Sequence, residues 1–160
     1  MLALLEDMGR EDHQFQLTGA PYNAAICAAF RAERPSVAHE IYTSMLHTSK
    51  SRPKEVTPNV ITFTSLMTNM AKLEKYDFCI EYYKEFSRMQ IQGNEAIYGC
   101  TVIAAERLSD WRTALGALEA MRTFVVKGAN DERVPSSVPS SVYTSAIGAC
   151  GKAGEVLSLS

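Results

Sequence analysis

The chain has 160 residues, 46 % hydrophobic and 21 % charged, with a formal net charge of −2. That composition is ordinary for a globular protein and gives no electrostatic sign of strong, non-specific nucleic-acid binding. It contains no run of about 18 apolar residues, which argues against a membrane-spanning helix and so against membrane insertion.

Met1, Leu4, Leu5 and Met8 fall at i, i+3, i+4 and i+7, one apolar face of a helix. This helix and the polar connector GREDHQFQLT make up residues 1–18, read as the second half of a truncated unit whose start lies before Met1. Tyr22, Ala25, Ile26 and Ala29 then predict a first helix, and Ala38, Ile41, Tyr42 and Met45 a second. Pro35 sits where that second helix begins, a position with no helical partner for the missing N–H. The next pair is carried by Phe63, Leu66, Met67, Met70 and by Cys79, Tyr82, Tyr83, Phe86. Lys72–Lys75 is their connection, and Gly93-Asn94 is a stop signal. A third pair follows from Tyr98, Thr101, Val102, Ala105 and from Ala114, Ala117, Leu118, Met121. Ser109-Asp110 offers it a helix-capping oxygen before Trp111, which is read as packing at the helix seam. Tyr143, Ala146, Ile147 and Cys150 predict one more first helix, and the chain stops at Leu159–Ser160 where its partner is due to start.

In the three complete pairs the opening aromatic lies 16 residues before the first small residue of the second helix: Tyr22 to Ala38, Phe63 to Cys79, Tyr98 to Ala114. A fixed spacing of this kind marks a repeat of roughly 35 residues. Short helix pairs cannot bury both faces alone, so they stack on their neighbours. The expected fold is all-α, an α-solenoid of stacked antiparallel helix pairs in one continuous domain. Its units are 19–59, 60–94, 95–139 with a long tail loop, and a truncated 140–160. The distances from each second helix to the next aromatic vary, so insertions fall on one edge. The tails LHTSKSRPKEVTPN and GANDERVPSSVPSS are the longest of them.

Cys27, Cys79, Cys100 and Cys150 form no Cys-x-x-Cys pair and no zinc spacing, and read as reduced, packed thiols. His13, His39 and His47 have no partners at useful spacing and read as surface residues. No glycine-rich phosphate loop, catalytic carboxylate pair or nucleophile–base motif appears. Neither an enzyme nor a bound cofactor or metal is expected.

The runs YNAAICAAFRAERPSVAHEIYTSM, TPNVITFTSLMTNMAKL and VYTSAIGACGKAGE resemble the pentatricopeptide repeat over nearly the whole chain. The long tails at 46–59 and 122–139 depart from that motif. The resemblance implies binding of single-stranded RNA, an organellar transcript or rRNA, in a mitochondrion or plastid, one base per repeat. No stretch of the chain reads as a targeting peptide. Base reading falls to the residue after each opening aromatic and the last residue of the same repeat. These are Asn23 and Asn59, the pattern for a pyrimidine, and Thr64 and Asn94, the pattern for adenine. Gly99 and Pro139 leave the third repeat without a base assignment, and Thr144 begins a fourth. The residue two before the aromatic sandwiches the base. Ile61 suits that role, whereas Ala20, Ala96 and Ser141 supply little surface. Arg31, Lys72, Arg107 and Lys152 each follow their aromatic by nine residues and are expected at the RNA backbone. The same helical pairs also suit a protein-interaction scaffold, with other subunits of an organellar complex as partners.

Overall fold

The computed structural model describes residues 19–53, 56–128, 135, 137–152 and 154. Among them are seven helices and no strand: α1 Gly19–Arg31, α2 Pro35–Ser51, α3 Val60–Lys72, α4 Tyr76–Arg88, α5 Glu95–Arg107, α6 Trp111–Lys127 and α7 Ser140–Lys152. The architecture is an all-α repeat of packed helix pairs. By compactness the chain divides into two units, Met1–Ser65 and Leu66–Ser160, with the boundary inside α3. The expected helix over residues 1–8, its connector with His13, and half of GANDERVPSSVPSS lie outside the described residues.

In the first unit α1 packs on α2. Ile26 and Ala29 of α1 and Ala38, Ile41 and Met45 of α2 are buried, as the apolar spacing predicts. The Tyr22 ring is buried too, and its hydroxyl meets Thr48 Oγ1 at 3.0 Å. Phe63, at the start of α3, packs edge-on against Tyr42 with ring centroids 5.9 Å apart. In the second unit α4 packs on α5, α5 on α6, and α7 on both α5 and α6. Leu66, Met67, Met70, Val102, Ala105, Ala114, Ala117 and Met121 are fully enclosed. Burial pushes the Cys79 thiol up to about 12, which keeps it protonated and packed as an apolar group.

Two features differ from the sequence reading. The 46–59 and 122–139 tails are not wholly loop: α2 and α6 run for 17 residues against 13 in α4. No proline or glycine interrupts 46–51 or 122–127, so each helix gains a turn before Pro53 or Gly128 stops it. Tyr143 and Ile147 of α7 were expected in a packing face but are 38 % and 56 % exposed. The corresponding Tyr22 and Tyr98 are covered by the second helix of their own pair. No such partner for α7 is among the described residues.

The turns inside the pairs are built alike. Glu33, Glu74 and Ser109 each follow their aromatic by 11 residues, and each has a left-handed backbone, with φ of 57°, 56° and 57°. That geometry closes two bonds per turn. Arg34, Lys75 and Asp110 N–H reach back to the carbonyls of Ala29, Met70 and Ala105 at 2.9 Å. Glu33, Glu74 and Ser109 N–H reach Phe30, Ala71 and Glu106. This satisfies helix-end carbonyls and is a conformation that glycine adopts without strain. The equivalent residue after α7 is Gly154, at φ 72°.

The starts of α3, α5 and α6 are tied by side chains, whereas α2 and α4 have no side-chain cap. Asp110 accepts from Thr113 N at 3.1 Å and from Thr113 Oγ1 at 2.6 Å, the cap that Ser109-Asp110 announced. Burial opposes its charge. The Thr113 bonds, with Lys84 nearby, nonetheless hold the Asp110 carboxyl below the usual carboxylate range. Between α5 and α7 the Glu106 carboxylate meets Lys152 Nζ at 3.2 Å. The Ser145 hydroxyl, ahead of Lys152 and Arg107, holds that carboxyl below its ordinary value. A Cβ on Gly148 would come within 2.9 Å of Glu106 Oε1, so the absence of a side chain there lets the carboxylate lie flat on α7.

Glu74→Gly relieves a left-handed backbone in a residue with a Cβ, offset in part by greater freedom of the unfolded chain. It is expected to raise stability by up to about 1 kcal/mol in urea denaturation. Asp110→Ala should lower stability by about 1 kcal/mol at neutral pH. A carboxyl with a depressed folded pKa contributes above its unfolded value, ordinarily 3.8, and ceases to as pH falls through the folded one. The gap between Asp110→Ala and the unaltered chain should therefore hold above pH 3.8 and narrow as pH falls from there through the folded-state pKa.

Candidate nucleic-acid interface

The first unit brings Asn23, Asn59 and Ile61 together at the start of α3. Asn59 immediately precedes that helix. Its Oδ1 accepts from Ile61 N at 3.0 Å and from Thr62 N at 3.1 Å, two of the N–H groups that a helix start leaves without backbone partners. Asn23 projects from α1, is only 9 % exposed, and accepts a 2.7 Å hydrogen bond from Thr62 Oγ1 at its Oδ1. The Thr62 oxygen in turn accepts from Asn59 N at 3.1 Å. Thr62 is wholly buried and joins the two asparagines that the sequence singles out. Nothing in the periodicity points to Thr62. The only signal is a hydroxyl residue three places after a helix-starting asparagine, where it meets the cap.

Ile61 stands at the edge of this cluster, 59 % exposed, with its side chain available as an apolar platform. Thr64 is half-buried, and its hydroxyl donates to Val60 O at 2.7 Å one turn back. Asn94 belongs to the second unit and caps α5, accepting from Ile97 N at 3.0 Å. Thr64 and Asn94 thus fall in different units. Both Asn59 and Asn94 are more than loop residues at a helix exit: each is the side-chain cap of the helix that follows.

The second unit holds an open cleft of about 550 Å³. Asn94, Ala96, Gly99, Pro139 and Ser141 line it together with Ile103. A Cβ on Gly99 would meet nothing within 4 Å. The two places expected to read a base in the third repeat, Gly99 and Pro139, therefore border one concavity, but their side chains bring it neither a hydrogen-bond donor nor an amide. Its stacking positions are the small Ala96 and Ser141.

Arg31, Lys72, Arg107 and Lys152 are each exposed in the last turn of a first helix, where a cation also complements the helix dipole. Lys152 differs from the others, since Glu106 holds it through both its carboxylate and its carbonyl oxygen, the latter at 3.4 Å. Lys72 lies near Cys100, whose thiol burial raises and that cation lowers. Glu106 has no periodic signal in the sequence and was missed there. Among the described residues no group of three or more His, Cys, Asp or Glu side chains is placed to hold a metal ion, and no helix is long and apolar enough to cross a membrane.

A family model, PPR repeat, matches residues 61–91, the span of α3, the turn at Glu74 and α4. No curated protein matches the chain. RNA binding is typical of that family, whose members are generally non-enzymatic helical-repeat proteins and commonly organellar. Residues 61–91 are accordingly a PPR repeat, set in a helical chain consistent with a PPR-type repeat protein.

Proposed function

We propose that this chain is a single-stranded RNA-binding segment of an organellar RNA-processing, stability, translation or ribonucleoprotein factor. The observation that carries the reading is the convergence of Asn23 and Asn59 beside the exposed Ile61, next to and within the matched repeat. An apolar platform with amides at its rim suits a splayed base, stacked on one side and hydrogen-bonded at its edge. Asn23 with Asn59 is assigned a pyrimidine. Arg31, Lys72 and Arg107 serve the phosphates. Two base contacts at roughly 1–3 kcal/mol each leave binding in the millimolar range or weaker for most of that span, once ordering is subtracted. The chain reads RNA as one part of a longer array or particle.

A protein-interaction scaffold is the second reading. The exposed Ile103, Tyr143 and Ile147 and the acidic balance favour it. RNA titration separates the two.

Asn23→Thr, which with Asn59 gives the adenine-type pair, should move the preference at one nucleotide from pyrimidine toward adenine, by about three- to tenfold, in an NMR titration with short oligonucleotides at low salt. Unchanged preference with binding intact would leave only backbone contact. No binding at all would leave the scaffold. Lys72→Ala should reduce the slope of log affinity against log salt by about 0.7, the value for one phosphate contact to a single strand. Lys152→Ala should change it less, because Glu106 already holds that ammonium.

A further inference from the structure

In the Asn23–Thr62–Asn59 cluster both amide oxygens are already used. Asn59 Oδ1 takes the N–H groups of Ile61 and Thr62, and Asn23 Oδ1 takes the Thr62 hydroxyl. Thr62 has a single proton to give. Its oxygen accepts from Asn59 N, and its proton goes to Asn23 at 2.7 Å, because the Asn59 oxygen at 3.2 Å is farther and already accepts two backbone bonds. The hydroxyl therefore fixes which way the Asn23 amide points, and the helix start does the same for Asn59. What each side chain has left to offer is its NH2 group, a donor.

We propose that Thr62 is a positioning residue that sets the first repeat's reading pair as donor–donor, and so selects cytosine within the pyrimidines. This inference rests on the RNA-reading role proposed above. Two donors are matched by two adjacent acceptors. Cytosine has them on its Watson–Crick edge, at N3 and O2. Uracil places an N3–H donor between its two carbonyls, adenine has one ring acceptor beside an amino donor, and guanine has one carbonyl beside two donors. A site whose buried polar groups are committed in advance rejects the mismatched edge, because a donor facing a donor is left unbonded. Thr62, from the start of the following repeat, serves only this pair. The residues at the same place before Tyr98 and Tyr143 are Ile97 and Val142, which have no hydroxyl.

The test uses the 160-residue chain, with tetracytidylate and tetrauridylate as probes, followed by NMR at low salt. The unaltered chain should prefer the cytidine oligonucleotide by about three- to tenfold. Thr62→Val keeps the shape and removes the hydroxyl. It should bring that ratio near one while affinity for the uridine oligonucleotide stays the same, and Thr62→Ser should keep the preference. A cytidine preference unaffected by Thr62→Val, or lost equally in Thr62→Ser, would overturn the inference and leave the RNA-binding reading standing. Binding of neither oligonucleotide would overturn the RNA-binding reading, and this inference with it. Should Thr62→Val not fold, the unaltered chain decides. The side-chain NH2 protons of Asn23 and Asn59 should shift downfield on binding the cytidine oligonucleotide, and binding without those shifts would sink the inference.

Discussion

A helix of 13 residues has four N–H groups at one end and four carbonyls at the other with no partner inside the helix. They are about a third of its backbone groups, and a helix this short is marginal by itself. The manner in which its ends are satisfied therefore decides where each of these helices starts and stops. At the starts of α3, α5 and α6 the acceptors are Asn59, Asn94 and Asp110. At the ends of α1, α3 and α5 the left-handed turn returns the chain so that two carbonyls are met at once. The 16-residue spacing between aromatic and small residue follows from that turn, and with it the register of the apolar faces.

Asparagine at a helix start thus answers a structural need before any functional one. The two roles are compatible because an amide has two ends. Its oxygen caps the helix and its NH2 remains. A carboxylate in the same place caps equally well but presents only acceptors, as Asp110 does toward Thr113. An exposed last turn is likewise shared ground for cations, which complement the dipole there with or without a phosphate. At Lys152 a third use prevails: Glu106, laid over Gly148, ties α5 to α7.

Most of the fold was legible in the sequence because burial follows the period of the helix. Phe63, Leu66, Met67 and Met70 are all enclosed, as are Ala114, Ala117, Leu118 and Met121. The extra turn of α2 has no periodic signal, since Leu46 is followed by the polar run His47–Ser51, whereas that of α6 was there to be read in Phe124 and Val125, which continue the spacing of Ala117, Leu118 and Met121. Tyr143 and Ile147 show the limit of the same rule, since a stripe states which face is apolar and not what covers it. Of the candidate interface, the asparagines and Ile61 could be named from their places in the repeat. Their commitment to Thr62 and to the start of α3 could not, because a hydroxyl bridge between residues 39 apart leaves no local pattern.

The left-handed Glu33, Glu74 and Ser109 bear on how such an array comes apart. A repeat protein behaves as a row of elements, each with its own folding free energy and a coupling to its neighbours. Strain inside a turn belongs to the element alone and leaves the coupling unchanged. Lowering the first relative to the second makes a lone folded repeat rarer, and it shifts unfolding from gradual fraying toward a single cooperative step. The turn at Gly154 lacks that strain. Had all four turns carried glycine, the same packing would hold together repeats more able to fold independently, and partly unfolded arrays would be more highly populated.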